Sequence, residues 1–128
     1  MKLLHEKPAI YQRLVDKFGV SWDRGIIITY GDNVYCKNNI GPDLIAHESV
    51  HVEQQKKFGV EAWWDKYIAE EKFRLEQEVE AYRAQYKFVC QFAGRVVRRE
   101  AQRNIARELS SSTYGRIITY HEALEIIK

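Results

Sequence analysis

Two histidines and a glutamate lie close together at a spacing that suits metal-assisted hydrolysis. The segment His47-Glu48-Ser49-Val50-His51 has the pattern H-E-x-x-H. Residues four apart lie on one face of an α-helix, so the two imidazoles can point to the same place. Two neutral imidazoles suit a borderline cation such as zinc. Glu48 lies beside them on the same turn, where it can take a proton from a water molecule rather than serve as a ligand.

The flanking residues predict the helix that this spacing requires. Residues 41–43 are Gly-Pro-Asp, which places proline near the first helical position and an acid in the first turn. Lys56 and Lys57 suit the last turn, and Gly59 can end the helix. The alternative is an amphipathic helix that carries two surface histidines and a solvated glutamate.

The composition is that of an ordinary globular protein. The chain has 128 residues, 45% of them hydrophobic and 30% charged, which suits one domain over residues 1–128. A net charge of +2 argues neither for nor against a nucleic-acid partner. With only Cys36 and Cys90, free thiols in a reducing compartment are expected, although a single bridge stays open. Because no signal peptide or membrane-spanning run is evident, we expect a cytoplasmic protein without a membrane partner.

The first third of the chain predicts a short helix followed by a β-hairpin. Apolar residues recur at helical spacing over about residues 8–18, and β-branched segments at 25–30 and 34–37 flank a Gly-Asp-Asn turn. The second strand, around Tyr35, leads into the motif helix. It can offer an exposed edge at which an extended peptide pairs by backbone hydrogen bonds. A plain hairpin that braces the core is the equal alternative.

The rest of the chain is predicted to be helical, which gives a mostly helical α+β fold. Residues 61–92 contain neither proline nor glycine, and Trp63 and Trp64 near their start are expected to lie in the core. Apolar residues at helical spacing define the predicted buried stripe of this stretch: Leu75, Val79, Tyr82, Tyr86 and Val89. The sequence therefore places a second long helix after the motif helix.

Two features stand out beyond Gly94. A helix there carries arginine at every fourth position: Arg95, Arg99, Arg103 and Arg107. Such a row can follow phosphates, but acids interrupt it, so a solvated basic face is the favoured interpretation. Thr119 with Glu122 three residues later predicts a capping box at the start of a short terminal helix.

The third metal ligand is expected to come from the long helix. A third histidine at fixed spacing after the motif is excluded, because Gln54 and Lys57 occupy the positions where that class needs Gly and His. Glu76, Glu78 and Glu80 are the candidate carboxylates. Glu78 lies at the edge of the predicted buried stripe, and a buried carboxylate is costly unless a metal neutralises it. Glu78 is therefore favoured, with a solvated charge cluster as the alternative.

The two motifs together resemble a known family. His47-Glu48-Ser49-Val50-His51 followed by Glu78-Val79-Glu80-Ala81-Tyr82 is similar to the gluzincin metallopeptidases, and to their small members called minigluzincins. The resemblance implies a small zincin-like domain in which His47, His51 and Glu78 bind one zinc ion and Glu48 is the base. It also implies that the strand around Tyr35 faces the substrate. The family often has Asp where this chain has Tyr82, so the residue that supports a zinc histidine stays unassigned.

Three functions follow as hypotheses. The first is a zinc-dependent peptidase in which Glu48 activates a zinc-bound water to hydrolyse a peptide or protein substrate. A donor for the developing oxyanion is needed, and the candidates are Tyr82, Tyr114, Tyr120 and His121. The second is a zinc-binding module that is catalytically silent or is covered by its own tail, residues 110–128. The third and weakest is a protease associated with nucleic acid through the arginine row.

Overall fold

Helices form most of the molecule, and three short strands form one small sheet. The computed structural model describes residues 1–128. In chain order its elements are β1 (Lys2–Leu4), α1 (Tyr11–Phe18), β2 (Ile28–Tyr30), β3 (Asn33–Tyr35), α2 (Pro42–Phe58), α3 (Val60–Ala69), α4 (Glu71–Phe92), α5 (Arg95–Leu109), a 3₁₀ turn (Ser112–Tyr114) and α6 (Tyr120–Ile126). The predicted mostly helical α+β class is confirmed.

The sheet has the strand order β1-β3-β2, which corrects the expectation for Tyr35. Leu4 of β1 and Ile28 of β2 lie on either side of Tyr35, so β3 is the central strand and has no free edge. β1 was not predicted from the sequence. It is only three residues long, shows no alternation, and forms because a distant segment pairs with it in parallel. The free edge next to the motif helix belongs to β2.

The motif helix α2 has the boundaries that its sequence predicts. Gly41 precedes it with extended backbone, Pro42 is its first residue, and Asp43 lies in its first turn. The chain then turns sharply at Gly59, where φ is +96°, a value that favours glycine because it has no Cβ. Local sequence signals therefore determine where the helix that carries the histidines begins and ends.

Residues 61–92 do not form one helix, because the backbone breaks at Glu70 with φ −121° and ψ 113°. No proline or glycine marks this break. The guanidinium of the buried Arg74 donates to the backbone oxygens of Tyr67 (2.7 Å) and Ile68 (3.2 Å), at the end of α3. A long side chain from the next helix thus satisfies carbonyls that a continuous helix would have paired itself.

The buried face of α4 is more polar than the apolar stripe predicts. Its fully buried residues are Arg74, Glu78, Ala81, Tyr82 and Gln85. Leu75, Val79 and Tyr86 are only partly buried and pack against α5 and α6. Polar residues can be buried here because neighbouring elements supply their hydrogen-bond partners.

Two apolar clusters support the site from opposite sides. The first joins α1, β2 and α3 through Ile10, Leu14, Ile28, Trp63, Trp64 and Tyr67, which confirms the tryptophan pair as core. The second joins α4, α5 and α6 through Tyr82, Ile105, Ala106, Leu109, Ala123 and Ile127. Between them α2 and α4 run antiparallel, with Gln54 opposite Gln77 and Asp43 opposite Gln85.

The C-terminal elements match their predictions. The side chain of Thr119 accepts from the Glu122 N–H, and Glu122 accepts from the Thr119 N–H, so the capping box is present.

All four arginines of the predicted row on α5 are exposed, and their association with nucleic acid stays a prediction. Both cysteines are free. None of the helices combines the length and apolar character that crossing a bilayer requires.

Candidate metal centre

The structure brings His47, His51 and Glu78 together in the interior between α2 and α4. The Nε2 atoms of the two histidines are 3.1 Å apart. Nε2 of His47 lies 3.2 Å from Oε1 of Glu78, and Nε2 of His51 lies 3.3 Å from Oε2. All three residues are at most 5% exposed. The group is therefore closely packed, buried and composed of side chains that bind divalent cations.

These distances fit a single tetrahedral ion. Ligand atoms about 2.0–2.1 Å from a tetrahedral zinc are about 3.3 Å from one another. The two Nε2 atoms are separated by nearly that distance, and so is each Nε2 from its nearer Glu78 oxygen, which is Oε1 for His47 and Oε2 for His51. The buried Oε1 of Glu78 has no hydrogen-bond partner, which leaves it available as a ligand. Two unprotonated nitrogens at 3.1 Å would repel each other, so either a proton or a metal ion between them stabilises the pair. The group can hold one metal ion.

A proton and a metal compete for this group. Burial lowers the pKa of His51, but the Glu78 carboxylate outweighs burial and raises that pKa to about 9. Burial raises the pKa of Glu78, but the neighbouring histidines hold it far below its ordinary range. Glu78 is thus ionised throughout the physiological range, and a bound metal would displace the proton from His51.

The long helix offers only one of its three candidate carboxylates to the histidines. Glu78 faces α2, whereas Glu76 and Glu80 are exposed. Tyr67 of α3 donates to Oε2 of Glu78 at 2.7 Å, which fixes the carboxylate in place. Tyr67 has no local sequence signal for this role, because it comes from another helix and meets Glu78 only through tertiary packing.

Glu48 lies beside the group and keeps one oxygen free. Its Oε2 accepts from the Thr29 hydroxyl at 3.1 Å, and its Oε1 makes no hydrogen bond. Burial raises the pKa of Glu48 above its ordinary value, with the two histidines acting in the opposite direction. A carboxylate whose pKa is raised towards neutrality is better suited to accept and return a proton.

Among the four candidate oxyanion donors, two lie at the site and two do not. The ring of Tyr82 packs on His47 with centroids 4.3 Å apart, and its hydroxyl lies 2.6 Å from that of Tyr114. Tyr114 lines the cavity at the metal group. Tyr120 and His121 lie in the first turn of α6 and do not line it, because α6 packs on α5 instead. The expectation for His121 is corrected accordingly.

The free edge of β2 faces the site, and one side chain from α2 covers part of it. Gln55, which is fully buried, donates to Thr29 O and accepts from Gly31 N–H, both at 2.8 Å. By strand alternation the backbone of Ile27 faces the same edge. Its N–H and C=O make no hydrogen bond, and the residue lines the cavity. The free edge of β2 can therefore pair with another strand at Ile27, whereas Gln55 occupies it from Thr29 onward.

The cavity beside the metal group is small and has an apolar wall. Its volume is about 50 Å³, which holds a few water molecules. The wall opposite the metal ligands is formed by Leu14, Phe18, Val20, Ile26, Ile28 and Trp64. Thr113 and Tyr114 of the 3₁₀ turn also border it. Residues from both ends of the chain therefore enclose the site.

Comparisons with known proteins do not assign this chain to a family. Neither protein-family models, nor curated proteins, nor solved structures give a match. The sequence spacing and the tertiary geometry agree on a buried His-His-Glu group that could hold a metal ion.

Proposed function

We propose that the protein is a zinc-dependent metallopeptidase that hydrolyses peptide bonds. The observation that carries the proposal is the buried group of His47, His51 and Glu78, whose ligand atoms lie close enough together to hold one metal ion, next to a glutamate with a free oxygen. A bound zinc ion would polarise a carbonyl group and acidify a water molecule. Two imidazoles and one carboxylate leave a coordination position open for that chemistry, as catalytic zinc sites require.

Glu48 is the general base in this proposal. The Thr29 hydroxyl holds Oε2, so Oε1 is the oxygen that takes a proton from the attacking water. The same oxygen returns the proton to the leaving amine. Its raised pKa, caused mainly by burial, makes both transfers easier near neutral pH than they would be for an ordinary carboxylate.

The substrate chain binds at Ile27. Its extended backbone would pair with the free N–H and C=O of Ile27, and the Gln55 amide stops the pairing from continuing to Thr29. The Tyr114 hydroxyl is the donor for the oxyanion, because Tyr114 lines the cavity and Tyr82 does not. Peptide substrates with an apolar residue next to the cleaved bond fit the apolar wall.

The test is the variant Glu48→Gln, assayed on a random peptide library with product detection by mass spectrometry. Zinc should remain bound at one ion per chain while hydrolysis falls by about 10²–10⁴-fold. Glu53→Gln, an exposed change on the same helix, is the matched control and should leave the rate unchanged. Equal hydrolysis by Glu48→Gln and wild type would remove Glu48 from the mechanism.

A second candidate is a zinc-binding protein that its own chain holds closed. The observation that favours it is the cavity of about 50 Å³, bordered by Thr113 and Tyr114. Arg74 secures this turn by donating to Tyr114 O at 2.8 Å. Deleting residues 110–128 is a poor test of self-inhibition, because the tail contributes the fully buried Ala123 and Ile127 to the core.

Two substitutions of Tyr114 separate its roles. Tyr114→Phe removes the hydroxyl but keeps the ring, and Tyr114→Ala removes both. If Tyr114 is the oxyanion donor, both variants lose about 10²–10³-fold in rate. If it only covers the site, Tyr114→Ala gains activity and Tyr114→Phe does not. A zinc-loaded Tyr114→Ala protein with no activity on any peptide would favour a silent binding module.

A further inference from the structure

Gln54 of α2 joins the metal group to a carboxylate that is not a ligand. Its Oε1 lies 2.8 Å from Nδ1 of His51. Its Nε2 lies 3.1 Å from both the backbone oxygen of Gln77 and Oε1 of Glu80. The side chain therefore connects His51 to α4 by three hydrogen bonds, and Glu80 lies at the outer end of the chain.

These contacts determine which way round the amide lies. An amide NH₂ group has two hydrogens, and here both have an oxygen acceptor that cannot donate in return. The amide oxygen must then face His51, and since an amide oxygen only accepts, Nδ1 of His51 carries the hydrogen. The lone pair of the neutral imidazole is therefore on Nε2, the atom that lies among the three metal-binding atoms.

We infer that Gln54 is a positioning residue that fixes the orientation and tautomer of His51 for metal binding, with Glu80 acting through it. The inference rests on the proposed metal site. It also gives His51 a hydrogen-bonding partner on the side away from the metal-binding atoms. The other histidine lacks such a partner, because Nδ1 of His47 is buried and makes no hydrogen bond. Replacing Gln54 should therefore lower the metal affinity more than replacing an ordinary half-buried polar residue would.

The probe is Co²⁺ alone, whose visible spectrum reports coordination and whose affinity is measured by titration. Gln54→Leu keeps the volume and removes all three hydrogen bonds, and it should weaken Co²⁺ binding by about 10–100-fold. Glu53→Ala, on the neighbouring exposed residue, is the control and should bind like wild type. Thermal unfolding of each variant in chelator shows that the fold is retained.

A paired swap distinguishes positioning from mere structural support. Gln54→Glu alone places two carboxylates side by side, so binding should weaken. Gln54→Glu combined with Glu80→Gln keeps an acceptor for His51 and restores a donor between the two side chains, so affinity should recover.

The outcomes separate this inference from the proposed function. Wild type that takes up no Co²⁺ would overturn both. Wild type that binds while Gln54→Leu binds equally well would overturn only the inference. A loss in Gln54→Leu that the double variant does not recover would also overturn it.

Discussion

Nε2 of His47 and Nε2 of His51 lie 3.1 Å apart with the Glu78 carboxylate against both. Without a metal, a proton on His51 stabilises this arrangement, because the Glu78 carboxylate raises the pKa of that histidine. The histidine pair therefore links metal binding, pH and stability in one site.

The first prediction is that stability in chelator falls as pH rises from about 6.5 to 9. The pKa of His51 is raised to about 9 from an ordinary 6.5. Its ion pair with Glu78 therefore contributes fully to the free energy of unfolding below pH 6.5, and this contribution is lost as the pH rises past 9. Glu78, whose pKa is lowered, contributes above about 4.5 and loses that contribution in acid. The free energy of unfolding, measured with urea, should fall by up to about 3 kcal/mol between pH 5.5 and pH 9.5.

His51→Gln provides the control for this prediction, since it removes the titrating group and should flatten the decline. Zinc should act in the opposite direction, because it binds the deprotonated histidine. The increase in melting temperature on adding zinc should therefore be larger at pH 8.5 than at pH 6. Equal increases at the two pH values would contradict the assignment of the proton to His51.

The second prediction concerns the choice of carboxylate. Glu78→Gln should lower zinc affinity by more than the 10–100-fold that loss of an outer partner costs, because it removes a ligand charge from the buried group. Glu76→Gln, an exposed change two residues away on the other side of the helix, should have no effect. Competition with a zinc chelator of known affinity measures both. Similar affinities for the two variants would rule out Glu78 as the third ligand.

The third prediction is that Gln55→Ala destabilises the fold by about 2–4 kcal/mol. The change leaves Thr29 O and Gly31 N–H without their partner in the interior, as well as creating a cavity. Gln12→Ala removes an exposed hydrogen bond to Asp16 and should cost less than about 0.5 kcal/mol. Chemical denaturation checks both, and a cost for Gln55→Ala no larger than the control would show that the edge of β2 needs no cover.

The fourth prediction concerns Arg74, which donates to three backbone oxygens, those of Tyr67, Ile68 and Tyr114. Arg74→Met should leave these carbonyls short of a donor and cost about 3 kcal/mol or more. It should also release the 3₁₀ turn, so protease cleavage near residues 112–116 should become faster. Arg13→Met, which breaks only an exposed ion pair with Asp65, is the control. Equal cleavage rates for the two variants would show that Arg74 does not hold the 3₁₀ turn in place.

Local sequence predicted the parts of the site that lie within one helix. His47, Glu48 and His51 share a turn because helix geometry fixes positions four apart, and glycines mark both ends of α2. Glu78 was favoured for its position beside an apolar stripe, but it lies within a largely polar buried face instead. The structure places Glu78 beside the two histidines as predicted, and its role as a ligand stays a prediction.

The partners of these residues could not be predicted in the same way. Thr29, Gln54, Gln55, Tyr67 and Arg74 surround or support the site, yet none has a motif. A glutamine in an isolated helix is simply a polar residue, and its role depends on which backbone or side-chain atoms the fold brings to it. The central position of β3 likewise depends on β1, a three-residue strand about thirty residues earlier in the chain.

The sequence by itself determined that two imidazoles and a carboxylate lie close together on one helix, because the α-helix repeat is a local property of the backbone. Only the tertiary structure decided which carboxylate completes the group, which strand edge faces it and how far the cavity is closed. Those features depend on contacts between segments far apart in the chain, where packing and hydrogen-bond satisfaction outweigh local preference.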